Sequence, residues 1–414
     1  MFTSIFFVIP LLVAQGSTIW VPDDHALIQD ALLAGQSGDT VVVRAGTYYE
    51  YELNFGGKDI VMTSEDGAEV TVIDGMSSGS VIVFNTAESP AAVLNGFTIT
   101  GGTAWDGGGI SIIDDPILGP SSPTIQNCII ANNVGSGGGG GMHIRGASTT
   151  LVHNCLIRDN STTFYHGAGV VIFDSSPIFK NCTIRDNNSG GTGGGFAVWD
   201  ASSNLLINDC IVFGNTPSSI DRYGSAQILA EYSLVEGGTG KWWFGSGCID
   251  ADPLFATGVL GSSYLSHIAA GQAVDSPCID AANPTTPGFG TTRTDGMADI
   301  GIGDIGYHHQ IPLPELAVNN LVAGQTAVVT LSNCTPNASV IFAWSRMGGG
   351  PTSGPFGDIH LSPPYHIYPL TSDAGGKASL SSPVPPSTFG IQIWFHGADI
   401  IKQSMTNPVT QIIG

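Results

Sequence analysis

Residues 176–187 read SPIFKNCTIRDN, and half of this dodecamer recurs at a fixed interval. NCIIANN begins at Asn127, NCLIRDN at Asn154, NCTIRDN at Asn181 and DCIVFGN at Asp209. The cysteines of the four copies, Cys128, Cys155, Cys182 and Cys210, are spaced by 27, 27 and 28 residues. Asn133, Asn160, Asn187 and Asn215 follow at equal distances, and the apolar residues around each cysteine keep step: Ile125, Val152, Phe179 and Ile207 before it, Ile130, Ile157, Ile184 and Val212 after it. Upstream of each copy stands a glycine cluster and a short alternating run: GGGISI, GGGMHI, GAGVVI and GGGFAV.

Short alternating runs separated by Gly and Asn read as strands and turns. A period of this length without helical periodicity predicts a solenoid, each repeat burying its apolar face only against its neighbours. Stacking in register puts like residues about 4.8 Å apart. Asn suits the corners because it tolerates left-handed backbone and hydrogen-bonds along its own column, whereas Cys and Ile fill the interior. Counting from Gly109, Gly141, Gly169 and Gly195, the inward columns are Ile110, Met142, Val170, Phe196 and Ile112, Ile144, Ile172, Val198.

Composition narrows the function. Of 414 residues 42% are apolar, ample for a core, and Lys plus Arg number only 12 against a formal charge of −22. No basic stripe exists to neutralise phosphates, so nucleic acid is excluded as a partner, while the acidity favours solubility and cation binding. The first 16 residues, MFTSIFFVIPLLVAQG, read as a secretory leader cleaved after Gly16, with a short membrane anchor as the alternative. No later stretch approaches membrane-span length. The expected location is outside the cell or at its surface.

The chain resembles the right-handed parallel β-helices of the pectin-lyase-like superfamily. IWVPDDHALIQDALLAGQSGDTVVVRAGTYYE, residues 19–50, is similar to the opening segment of that fold, with HALIQDALLAG as a short helix capping the core ahead of the strand DTVVV. The glycine clusters and Asn corners also resemble polymorphic outer-membrane protein repeats. The section 250–309 resembles the closing part of secreted bacterial, planctomycete-type β-helix proteins of unassigned function. The resemblance implies a β-helix over 17–310, with a helical cap over 17–38 and a closing segment over 222–310. Residues 311–414, with runs such as TAVVTL, SVIFAW and GIQIWF, read as a small antiparallel β-sandwich.

Seven cysteines leave at least one unpaired. In-register neighbours hold their Cβ atoms too far apart, with parallel vectors, for disulfides, so the four repeat cysteines are expected as reduced packing thiols. Cys248 and Cys278 could bridge, and Cys334 lies in the other domain. No C-x-x-C spacing points to zinc.

Chemistry is expected on the outer face of the glycine-led strands. Outward columns read Ser111, His143, Val171, Ala197 and Ile113, Arg145, Phe173, Trp199, followed by Asp114, Gly146, Asp174 and Asp200. Arg145, Phe173 and Trp199 form the candidate carbohydrate surface, because rings stack on pyranose faces while Arg and Asp take hydroxyls; a turn covering the aromatics, such as the stretch 115–126, is the bland alternative. For a glycosidase, Asp174 and Asp200 one rung apart suit retention, and Asp114 with Asp174 two rungs apart approaches the inverting distance. The polygalacturonase-type signatures N-x-D, G-H-G and R-x-K are absent. For a uronate lyase, Arg145 would neutralise the substrate carboxylate and His143 or His166 would act as base. Asp295, Asp299 and Asp304, set among glycines, are candidate calcium ligands, with turn capping as the alternative. The expected function is an exported polysaccharide binder whose sandwich serves attachment. A polysaccharide lyase or glycosidase on the same face and a structural, adhesin-like protein are the alternatives, so enzymatic activity stays open.

Overall fold

A computed structural model describes residues 16–310, 314–335, 337–354, 357–373, 376–400 and 404–414. The expected leader, up to residue 15, lies outside the described residues. The described residues form two compact units: those up to 288 with 300–308, and 289–299 with those from 309 on.

The first unit is a parallel β-helix. Each turn of chain lays one strand on each of three long parallel sheets, with nine, seven and eight strands among the described residues. The repeat seen in the sequence is one such turn: Ile178–Lys180, Thr183–Arg185 and Phe196–Trp199 pair in register with Leu151–His153, Leu156–Arg158 and Val170–Phe173 of the turn before. Every predicted inward residue of the glycine-led strands is fully buried, as are Cys128, Cys155, Cys182 and Cys210, in one continuous core. Truncating such an aliphatic side chain to Ala costs about 2–5 kcal/mol.

Two polar columns brace the corners. Asn127, Asn154, Asn181 and Asp209 are left-handed, at φ of 53°, 48°, 50° and 54°. The second column differs from the expected corner chemistry: the left-handed residues are Asn132, Asp159, Asp186 and Gly214, each one position earlier than the repeated Asn. Asn133, Asn160, Asn187 and Asn215 instead turn inward and form a buried amide ladder, each Nδ2 donating to the next Oδ1 at 3.0, 3.0 and 2.9 Å. Each Oδ1 also accepts the backbone N–H of the preceding ladder residue.

The cysteines stack as thiols. The backbone N–H of Cys155 faces Cys182 Sγ at 3.4 Å, and that of Cys182 faces Cys210 Sγ at 3.3 Å. In all four the largest influence on acidity is burial, which opposes ionisation. Cys248 and Cys278 are free, and burial pushes the Cys278 thiol up to about 12.

One end of the core is closed by the helix Ile28–Ala34, whose Ile28, Ala31 and Leu32 fall at i, i+3 and i+4 and are buried. It starts three residues later than the sequence suggested. Its caps come from distant residues: the Glu50 carboxylate accepts the N–H groups of Ile28 and Gln29 at 2.8 and 3.1 Å, and Lys58 Nζ donates to the Leu33 and Gly35 carbonyls. Opposite charges at the two ends suit the helix dipole. An unforeseen strand, Thr18–Val21, precedes the helix and pairs with Thr40–Val43. The closing segment docks along the solenoid: Asn154 exchanges two hydrogen bonds with the backbone of His308, and Asp209 accepts from Asn283 and Thr286.

The second unit is an antiparallel sandwich. Glu315–Asn319, Thr326–Ser332 and Ala378–Pro383 form one sheet, and His366–Thr371, Ser339–Ser345, Gln392–Asp399, Ser404–Met405 and Val409–Ile412 the other. Leu316, Val329 and Leu331 of the first meet Val340, Phe342 and Phe395 of the second in its core. Among the described residues no helix is long and apolar enough to cross a membrane.

Candidate functional site

Strand alternation holds, yet the first outward column is covered. Ser111, His143, Val171 and Ala197 are 5%, 3%, 1% and 0% exposed. The cover is the turn leading into each strand, which doubles back over it. Gly139 and Gly167, at φ of 64° and 68°, make this possible, for a Cβ there would lie 2.3 Å from the Met142 carbonyl oxygen and 2.6 Å from that of Val170. The stretch 115–126 takes no part: none of its residues lines the groove that results.

That groove has a volume of about 660 Å³. Its floor is His143, Val171, Phe173 and Trp199, and its rim carries Arg145, Asp174 and Asp200, as the sequence placed them. Phe173 and Trp199 sit opposite one another in register and stack at 5.5 Å between centroids, 17° from parallel. Asp174 and Asp200, at φ of 46° and 70°, follow them on successive turns. His166 also lines the groove; its Nδ1 faces the Thr192 N–H at 3.0 Å and the Tyr223 hydroxyl at 3.1 Å. Asp114 does not join these groups, because its carboxylate occupies the space over Gly146, where a Cβ would meet Oδ1 at 2.2 Å.

Several residues were missed. In the repeat frame Trp105, Gly137, Tyr165 and Gly191 are equivalent, as are Asp106, Gly138, His166 and Thr192. Gly137 leaves room for the Trp105 indole, whose atoms would lie 2.5 Å from a Cβ there. The indole therefore reaches Tyr165, two turns away, at 5.5 Å in an edge contact. Trp105 is 62% and Tyr165 42% exposed, so they form an aromatic wall above a floor that is buried at His143 and Val171 and half-buried at Phe173 and Trp199. Extending the alignment by four residues N-terminal to the glycines reveals this column. Tyr223 continues the Arg145, Phe173, Trp199 column, but its turn lacks the glycine cluster that marks the others.

Asp106 lies between wall and floor, its Oδ1 3.1 Å from His143 Nδ1. The contact is close without hydrogen-bond alignment, so both ring nitrogens of the buried His143 lack a hydrogen bond among the described residues. His143, against opposing burial, and the more distant Arg145 hold the Asp106 carboxyl below its ordinary range.

The calcium candidates are divided between the units. Asp295 pairs with Arg293 at 2.6 Å in the second. Asp304, buried in the first, accepts the Asp280 N–H at 2.8 Å and lies 3.5 Å from His267 Nε2.

Three parallel sheets winding about one core define a parallel β-helix protein. Residues 60–234 match the family described as right handed beta helix region. Among solved structures, the chain is similar to a pectin methylesterase from Aspergillus niger at 14% identity, over 58% of this chain and 81% of that one, with a TM-score of 0.26. No curated protein matches in sequence.

Proposed function

We propose that the protein acts outside the cell and binds polysaccharide in the groove between Trp105 and Asp200. The observation that carries this reading is the pairing of an exposed aromatic wall, Trp105 and Tyr165, with a rim of Arg145, Asp174 and Asp200 in one open groove of about 660 Å³. Large exposed aromatics on a surface mark contact sites, and a pyranose presents an apolar face to such rings and hydroxyls to the charged rim. The role of Phe173 and Trp199 shifts accordingly: stacked on each other, they offer edges and leave the face-on contact to Trp105. A glycan array, screened with and without calcium, tests the proposal. Saturable binding that Trp105→Ala weakens supports it, and absence of binding to any glycan overturns it.

One observation favours a catalytic second reading, a uronate lyase. A buried imidazole whose Nδ1 lies 3.1 Å from the Asp106 carboxylate and whose Nε2 has no hydrogen bond among the described residues, set in a groove beside an Arg, is an arrangement suited to a base next to a carboxylate-bearing sugar. Appearance of unsaturated uronate absorbance with any glycan bound on the array separates the lyase from the binder.

A further inference from the structure

In the sandwich, the strand Ser339–Ser345 reads SVIFAWS and is followed by Arg346. Period-two alternation sets Val340, Phe342, Trp344 and Arg346 on one face. Exposure rises along it: Val340 is 0% and Phe342 2% exposed, Trp344 is half-buried and Arg346 is exposed. A face that begins as core ends in a guanidinium.

This face lines a cavity of about 260 Å³ between the two sheets. Ala327, Val329 and Leu380 form one wall and Phe342, Ile393 and Phe395 the other, with Trp344, Tyr368 and Arg346 also in the lining. Voids larger than a water molecule are few in native interiors, and an apolar one of about 150 Å³ already takes up a small hydrocarbon. The lining contains no acidic residue, and none of the described ion pairs involves Arg346. Phe389, next to the lining residue Thr388, is 74% exposed.

We infer that the sandwich binds an anionic amphiphile, its single apolar chain between the sheets and its carboxylate or phosphate head on Arg346. A glycan would strand its hydroxyls against the apolar walls, and a neutral hydrocarbon would leave the cation unused. Arg suits the head group because its planar donors match a carboxylate or phosphate oxygen pair. The inference is independent of the groove in the β-helix.

Calorimetry on the full chain, with sodium decanoate below its micellar concentration and decan-1-ol as the neutral comparison, tests it. Decanoate should bind saturably, one per chain, with decan-1-ol about tenfold weaker, equivalent to about 1.4 kcal/mol. Arg346→Gln should abolish that difference, and Val329→Phe should block both ligands. Should Val329→Phe fail to fold, quenching of Trp344 by bromine-labelled decanoate, lost in Trp344→Phe, locates the site instead. Sedimentation with phosphatidylglycerol vesicles, sensitive to Arg346→Gln, identifies a membrane lipid as the source; decanoate binding without sedimentation identifies a free acid. No saturable decanoate binding, equal affinity for the alcohol, or indifference to Arg346→Gln overturns the inference.

Discussion

Trp199 and Tyr223 lie face to face, ring centroids 3.7 Å apart and planes 4° from parallel. With Phe173 on the other side of Trp199, the indole is sandwiched, and its Nε1 is buried. Trp199 is therefore held within the stack, and the glycan contact proposed above falls to Trp105. Trp199→Ala should lower stability by about 2 kcal/mol, less than a fully buried Trp because the ring is partly exposed. Trp105→Ala should leave the thermal midpoint unchanged and weaken glycan binding about tenfold, or about 1.4 kcal/mol. Denaturant unfolding and affinity electrophoresis in glycan-containing gels read the two effects separately, and the reverse pattern would exchange the roles.

The amide ladder should be more sensitive than its polar composition suggests. Asn160 accepts from the N–H and the Nδ2 of Asn133 and donates to Asn187 Oδ1 and the Ile130 carbonyl, all buried. Leu at this position fills similar space but leaves those groups unpartnered, each at a cost of about 1 kcal/mol or more. Asn160→Leu should thus lower unfolding stability by about 3 kcal/mol. Urea denaturation checks it: a loss under about 1 kcal/mol would mean that water replaces the amide.

How much of this was legible in the residues follows from periodicity. The solenoid, its inward columns, the thiol column and the left-handed corner at Asn127, Asn154 and Asn181 repeat in register, and identical residues in identical places announce their environment. The helix was legible as an amphipathic pattern, but its start was not, because its cap is the distant carboxylate of Glu50. Trp105 and Asp106 carry no such signal, because their two columns read Trp105, Gly137, Tyr165, Gly191 and Asp106, Gly138, His166, Thr192, without the likeness that marks a repeat. Strand alternation also cannot report that an outward residue is covered: His143 faces out of the core, and the backbone path at Gly139 passes over it, with Asp106 and Phe173 beside the ring.

The thiols should be silent in the native protein and present on unfolding. Cys128, Cys155, Cys182, Cys210 and Cys278 are fully buried and Cys334 nearly so, whereas Cys248 is partly accessible with its thiol raised by burial. A maleimide reagent at neutral pH should modify at most Cys248 in the folded chain. In denaturant without reductant all seven should react, as counted by intact mass. A shortfall of two would reveal a disulfide.

Asp106 should leave a mark on acid stability. Its carboxyl is held below the ordinary value of 3.8, with His143 as the largest influence, burial opposing and Arg145 assisting. A depressed carboxylate binds its proton less readily folded than unfolded, so its contribution is complete above about pH 4 and is lost as pH falls through the folded value. Asp39 is depressed as well, by the amides of Gln36 and Ser17, so the acid limb of the wild type has several sources. The difference between wild type and Asp106→Asn isolates one of them. Thermal midpoints between about pH 2 and pH 6 should fall less steeply for Asp106→Asn on the acid side, the curves converging at the lowest pH, where both side chains are neutral. The effect should be modest, since Asp106 is partly exposed and screened by solvent. Parallel curves across this range would show that His143 and Asp106 are neighbours without energetic coupling, and the polar end of the groove would then lack the organised charge that the lyase reading requires.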